Sequence, residues 1–286
     1  TMEGAEMKMQ EWLHGEDGRF SVPSREQLES YEAADATAWV ASPLATDYLE
    51  FSMVGDFDPE TALPLILKTL GALPERAATQ PDLRAERIIN SPAPPSEKTF
   101  TYKSKIPKAA ARVAWMIPGL TDNIQETRRL NILASILNDR MRKKIREELG
   151  DSYSPQAGAS PSPAFDFGVF IALSVGDPEK SEALGKLIIE IAATLAEEGA
   201  TEDELERAVK PVLGQLEQSL RTNGYWLSTV LSQSQQDPYR LDWARQRDAD
   251  YSGIKVDEIN ELARKYLGPT NAHRIEIQPV DENGAP

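Results

Sequence analysis

Apolar positions along the chain recur with two periods, and the switches between them mark the elements. In DYLEFSMVGDFD (47–58), Leu49, Phe51, Met53 and Phe57 alternate with other residues, the period of a strand with one buried face. The next segment, DPETALPLILKTLGALP, changes to helical spacing at Leu63, Ile66, Leu67 and Leu70. Asp58 is placed to cap that helix, Pro59 suits its first position, and Gly71 and Pro74 stop it. Upstream, residues 24–40 read as one or two short helices, with Ser24 and Gln27 forming a capping box. The pattern fades over 75–97. SPAPPSE (91–97) has three prolines in seven residues, the composition of a stiff, extended linker.

Beyond the linker, KTFTYKS (98–104) and ARVAWMI (111–117) read as strands. Residues 121–149 predict one long helix, with Leu130, Leu133, Leu137, Met141, Ile145 and Leu149 in a single apolar stripe and Gly150 as its stop. SYSPQAGAS and FDFGVFIALSV (165–175) are the next strands. Two helices follow, one opening at Asp177-Pro178-Glu179 and one at a capping box from Thr201 to Glu204, with Pro211 expected to kink the second. Shorter helices are predicted over 224–236, 239–250 and 255–267, and HRIEIQP (273–279) is a closing strand. Neighbouring strands with no helix between them predict hairpins. The fold class is therefore α+β, an antiparallel or mixed sheet with helices packed on one face, and not a doubly wound parallel sheet. VGDFDPE and VGDPE resemble each other only because strand-to-helix turns reuse Gly, Asp and Pro for local reasons.

Composition narrows the chemistry. At 286 residues, 40% hydrophobic, the chain can form a sizeable core and two domains, with a boundary near residue 90. Its net charge of −15 argues against nucleic-acid binding, which needs a basic face. The one basic run, RMRKKIR (140–146), reads as a solvated helix face. Its longest apolar run is too short for membrane insertion. Residues 1–30 have no signal-peptide pattern, but TMEGAEMKMQEWLHGE reads as the interior of an element, so this does not fix a destination.

With no cysteine, thiolate zinc sites and cysteine nucleophiles are excluded. Only two histidines occur, His14 and His273, without H-x-x-E-H, H-E-x-x-H or H-x-H spacing, so no metal site is expected in this chain. Both are read as surface or packing residues; in HRIE, Glu276 points to the face opposite His273. G-x-S-x-G and the glycine-rich nucleotide motifs are also missing, and the many acidic pairs read as solvated faces.

One constellation stands out. In REELGDSYSP (146–155), Arg146 and Tyr153 lie seven residues apart across the helix stop at Gly150. A reversal there can bring a guanidinium and a phenol to one rim, both suited to a carbonyl or carboxylate oxygen. The alternative is a surface arginine and a half-buried strand tyrosine.

ILNDRMRKKIREELGDSYSPQAG resembles an element of the insulinase/pitrilysin-like zinc metallopeptidases, where an R-x6-Y spacing surrounds a Leu-Gly turn. DYLEFSMVGDFDPETALPLILKTLGALP, NGYWLSTVLSQSQQDP (223–238) and KVDEINELARKYLGPTN (255–271) are similar to other elements of that family, in matching order. The resemblance implies repeated α+β domains in two halves that clamp an unfolded peptide. Zinc sits on an inverted H-x-x-E-H motif in the first half, and an arginine and a tyrosine of the second half reach the scissile bond. On that pattern, residues 1–90 are the closing part of a preceding α+β domain, 91–97 the linker and 98–286 a complete C-terminal α+β domain. Arg146 and Tyr153 are the catalytic candidates. This chain holds no cofactor and is expected to be inactive alone. Its expected partners are a zinc-bearing N-terminal half, or a catalytic partner chain, and a peptide substrate. A non-catalytic scaffold or clamp subunit of the same fold is the alternative. The resemblance favours a bacterial, periplasmic protein.

Overall fold

A computed structural model describes residues 1–120, 123–149 and 154–281. The elements are α1 (Met2–Leu13), α2 (Arg25–Ser30), α3 (Ala33–Thr46), α4 (Pro59–Thr69), β1 (Ser96–Lys103), β2 (Ala109–Ile117), α5 (Ile124–Leu149), β3 (Gln156–Pro161), β4 (Gly168–Gly176), α6 (Ser181–Glu198), α7 (Glu202–Ser219), a π-helical segment (Tyr225–Leu231), α8 (Tyr239–Ser252), α9 (Val256–Tyr266) and β5 (Ala272–Val280). They fall into two compact units. One comprises Thr1–Val22, Arg84–Val212 and Asp250–Pro286; the other comprises Pro23–Leu83 and Leu213–Ala249. One cut, between Leu83 and Arg84, falls close to residue 90; Thr1–Val22 nevertheless groups with the later segment, because α1 packs with the sheet that follows the linker.

In the first unit a five-stranded mixed sheet runs in the order β1-β5-β2-β4-β3. β2, β4 and β3 pair antiparallel as neighbours, and β3–β4 forms the expected hairpin. β1 and β2 do not. β5 inserts between them, antiparallel to β2 and parallel to β1. The burial patterns give the reason: β2 is apolar on both faces and takes a central place, whereas β1 is largely exposed and lies at the edge.

Alternation along the strands assigns the two faces. On one, Trp115 of β2 meets Phe170 of β4 edge-on at 6.0 Å, and α6 and α9 cover the sheet. The predicted stripe of α5 is buried at Leu130, Leu133, Leu137, Met141 and Ile145; Leu149 of that stripe has no described side chain. On the other face Ala110, Ala114, Ile275 and Ile277 pack against Ala5, Met9 and Leu13 of α1. His273 and Glu276 take opposite faces as expected: His273 meets Trp12 of α1, while Glu276 accepts hydrogen bonds from Ser181 of α6 and from Arg274.

The second unit has little of its own core. The expected capping boxes and caps are formed: Ser24 with Gln27 ahead of α2, and Asp58 accepting from Glu60 and Thr61 at α4. The expected strand over 47–58 is not formed among the described residues. Leu49, Phe51 and Phe57 are exposed, as are Leu63 and Leu67 of α4. The apolar alternation is present, but a strand also needs a ladder partner, and none is supplied here.

Candidate functional site

The sequence directs attention to the C-terminal end of α5, and packing fixes what that end presents. Ile145 is buried as the last described residue of the stripe. Arg146 follows it, about 100° further around the helix, and its side chain is exposed on the last turn. A cation there is favoured by the negative end of the helix dipole. Gly150 and Tyr153 lie outside the described residues. Six residues separate Leu149 from Gln156, so the chain must return to the start of edge strand β3 within about 25 Å. α5 also packs along β3. The arginine is thus carried on a rigid helix beside a sheet edge.

The basic run that contains Arg146 divides by role. Arg142, Lys143 and Lys144 are exposed, as read from the sequence. Arg140 is not part of that solvated face. It donates to both carboxylate oxygens of Glu204 at 2.7 and 2.8 Å, and to the carbonyl of Gly199 at 2.7 Å. The Arg140 hydrogen bonds hold the Glu204 carboxyl down at about 2, against the opposing effect of burial. Glu204 also accepts from the Thr201 backbone at 2.9 Å, completing the predicted capping box at α7. One residue therefore starts α7 and anchors α5 to it. Arg140, Lys143, Lys144, Glu147, Ile191 and Thr194 border a shallow cavity of about 260 Å³ on this flank.

Two features were not read from the sequence. In the second unit the π-helical segment Tyr225–Leu231 borders a cavity of about 500 Å³, lined by Leu216, Leu220, Tyr225, Trp226, Val230 and Arg247 among others. Arg247 stacks over the Tyr225 ring at 5.5 Å. The only advance signal was the cluster of aromatics in NGYWLSTVL. In the first unit, both histidines lie where α1 meets the sheet. The His14 Nδ1–H donates to the Gln10 carbonyl at 2.6 Å, and His273 Nδ1 lies 2.6 Å from Ser96 Oγ. Among the described residues no three His, Cys, Asp or Glu side chains converge on a metal-binding position, and no helix is long and apolar enough to cross a membrane.

Comparison with known proteins gives the family and the fold. The profile of the peptidase M16 inactive domain matches residues 30–212. A zinc protease PQQL-like protein of Arabidopsis thaliana is 28% identical over 208 residues, 66% of this chain and 21% of the relative. Among solved structures, the periplasmic protease PqqL from Escherichia coli matches 97% of this chain and 30% of its own, at 20% identity and a TM-score of 0.72. A peptidase M16 inactive domain from Pseudomonas fluorescens matches 96% of this chain and 65% of its own, at 19% identity and a TM-score of 0.71. The chain spans about a fifth of the length of the curated relatives it matches.

Proposed function

Because the chain belongs to the peptidase M16 inactive domain family, we propose that it is the substrate-clamping C-terminal portion of a zinc-dependent endopeptidase acting on peptides or unfolded protein segments. The observation that carries this is the exposed Arg146 on the last turn of α5, ahead of a return to a sheet edge, within a family-matched segment. Arg146 is fork-shaped and permanently charged, and Tyr153 carries a phenolic donor. Together they hold the substrate carbonyl and stabilise the oxygen on which negative charge develops as the peptide bond is attacked. Their role is to orient the substrate and to neutralise charge.

The described residues offer no set of ligands that fits zinc. The metal belongs to the N-terminal catalytic half of the same polypeptide, or to a partner chain. The exposed apolar side chains of residues 49–67 fit the same reading. Leu49, Phe51, Leu63 and Leu67 complete a preceding α+β domain once a neighbouring sheet covers them.

The test is peptidase activity of the full-length protein, with and without a zinc chelator. Arg146→Ala and Tyr153→Phe should each lower kcat/KM by about 10- to 1000-fold, the upper part of that span being the cost of losing one oxyanion donor, with thermal unfolding unchanged. Full activity in both variants removes the catalytic role. A wild-type protein inactive on unfolded peptides points instead to a scaffold that partners a catalytic chain.

A further inference from the structure

α1 lies on the sheet face opposite α6 and α9, and three kinds of contact hold it there. Ala5, Met9 and Leu13 are buried against Ala110, Ala114, Ile275 and Ile277. Glu6 pairs with Arg112 of β2. The third contact contains both histidines of the chain. Trp12 stands edge-on to His273 at 5.7 Å and to Phe100 at 6.2 Å. His14 closes the end of the helix between Phe20, at 3.7 Å, and Phe167, at 4.2 Å.

The His273 ring is fully buried. Its Nδ1 is satisfied by Ser96, but its Nε2 is buried without a hydrogen-bond partner. A neutral imidazole tolerates this: Nδ1–H donates to the serine and Nε2 keeps a bare lone pair. An imidazolium must carry an N–H on both nitrogens. The second would then be buried with no acceptor, and a full positive charge would be held out of water. The charged residues on this face include Lys98 of β1, Arg112 of β2 with its partner Glu6, Glu3 and Glu11 of α1, and Asp17 with its partner Arg19, which Glu86 also approaches. Among the described residues none of them is hydrogen-bonded to either imidazole. His14 tolerates charge better, since its Nδ1–H already meets a carbonyl and Asp17 is close.

We infer that residues 2–20 form an acid-released strap: protonation of His273 lifts α1 from the sheet and uncovers the apolar face made by Ala110, Ala114, Ile275 and Ile277. The direction follows from linkage. Burial lowers the affinity of His273 for a proton below that of a free imidazole near 6.5. The released state binds the proton more readily, so docking is fully present above about pH 6.5 and weakens as pH falls below it.

Amide hydrogen exchange on the 286-residue chain between pH 7.5 and pH 5, corrected for intrinsic rates, reads this directly. Residues 2–20 should lose at least about ten-fold in protection (about 1.4 kcal/mol of docking free energy), while α5 and α6 keep theirs. His273→Phe, which fills the space without a charge, should remove the pH dependence. Flat protection over 2–20, simultaneous loosening of α5 and α6, or a persisting pH dependence in His273→Phe would each overturn the strap. If that variant does not fold, the imidazole proton resonances decide, since the chain has only two imidazoles and His14→Gln assigns them. The His273 resonance should titrate below 6.5 in step with exchange of residues 2–20. Titration near 6.5 with the strap still protected overturns the inference.

Discussion

Arg140 and Arg146 lie six residues apart on one helix and differ in burial, Arg140 half-buried and Arg146 exposed. Arg140 is spent on structure: its guanidinium is shared between the Glu204 carboxylate and the Gly199 carbonyl that ends α6. Replacing it by Met keeps the aliphatic stem but leaves Glu204 half-buried with only its Thr201 bonds. A loss of about 2 kcal/mol is expected, read by chemical denaturation. The same pair sets an acid limit. Glu204 is depressed from 4.5 to about 2, so its contribution is complete above pH 4.5 and disappears as pH falls towards 2. Arg140→Met should flatten the stability profile across that window. Gly15 is as demanding as either arginine. It has φ of +68°, and a Cβ there would lie 1.9 Å from the Asn90 carbonyl oxygen. Gly15→Ala should therefore cost at least about 2 kcal/mol, from backbone strain and the clash together, and it should loosen α1 at neutral pH.

At the scale of elements, α3 ends on a device that local pattern reading cannot reach. Arg76 donates to the carbonyls of Pro43, Leu44, Ala45 and Asp47 at 2.7–3.1 Å. One guanidinium thus satisfies the orphan acceptors of a helix C-terminus. Arg76→Lys keeps the charge but loses the fork, and Arg76→Ala loses both. Unfolding of α3 should become easier by about 0.5 and 1.5 kcal/mol respectively, measured by hydrogen exchange within residues 33–46. The reason such a contact was not legible is distance along the chain: nothing near Arg76 in sequence announces a helix end 29 residues away. The same limit explains the sheet. β2, β4 and α5 were legible because their periodicity is local. The parallel pairing of β1 with β5 joins Ser96 to His273, and no window of the sequence contains both. The strand expected at 47–58 shows the converse, a correct apolar alternation without the partner that makes a strand. Of the candidate site, the exposure of Arg146 was legible because it falls one step past a buried stripe; Tyr153 lies outside the described residues.

For the whole molecule, the decisive contrast is between a unit with a closed core and a unit with an open one. In the isolated chain Leu63 and Leu67 of α4 are 55% and 59% exposed, so replacing both by Asp should leave its thermal stability within about 0.5 kcal/mol. The proposed function requires a different result in the full-length protein, where a preceding sheet covers the same face. There two carboxylates would be forced into an apolar interface, and a loss of at least about 3 kcal/mol, or failure to accumulate, is expected. Salt supplies a second reading of the same face. The net charge of −15 keeps isolated chains apart at low ionic strength, and screening that repulsion lets exposed apolar surface associate. The isolated wild-type chain should therefore self-associate as salt is raised, by sedimentation velocity, and the Leu63→Asp, Leu67→Asp variant should not. Equal behaviour of the double variant in the short and full-length proteins would mean that α4 faces solvent in both, and the preceding-domain reading would have to be abandoned for residues 23–83, the part of 1–90 that does not pack with the sheet after the linker, while the Arg146 test stood unaffected.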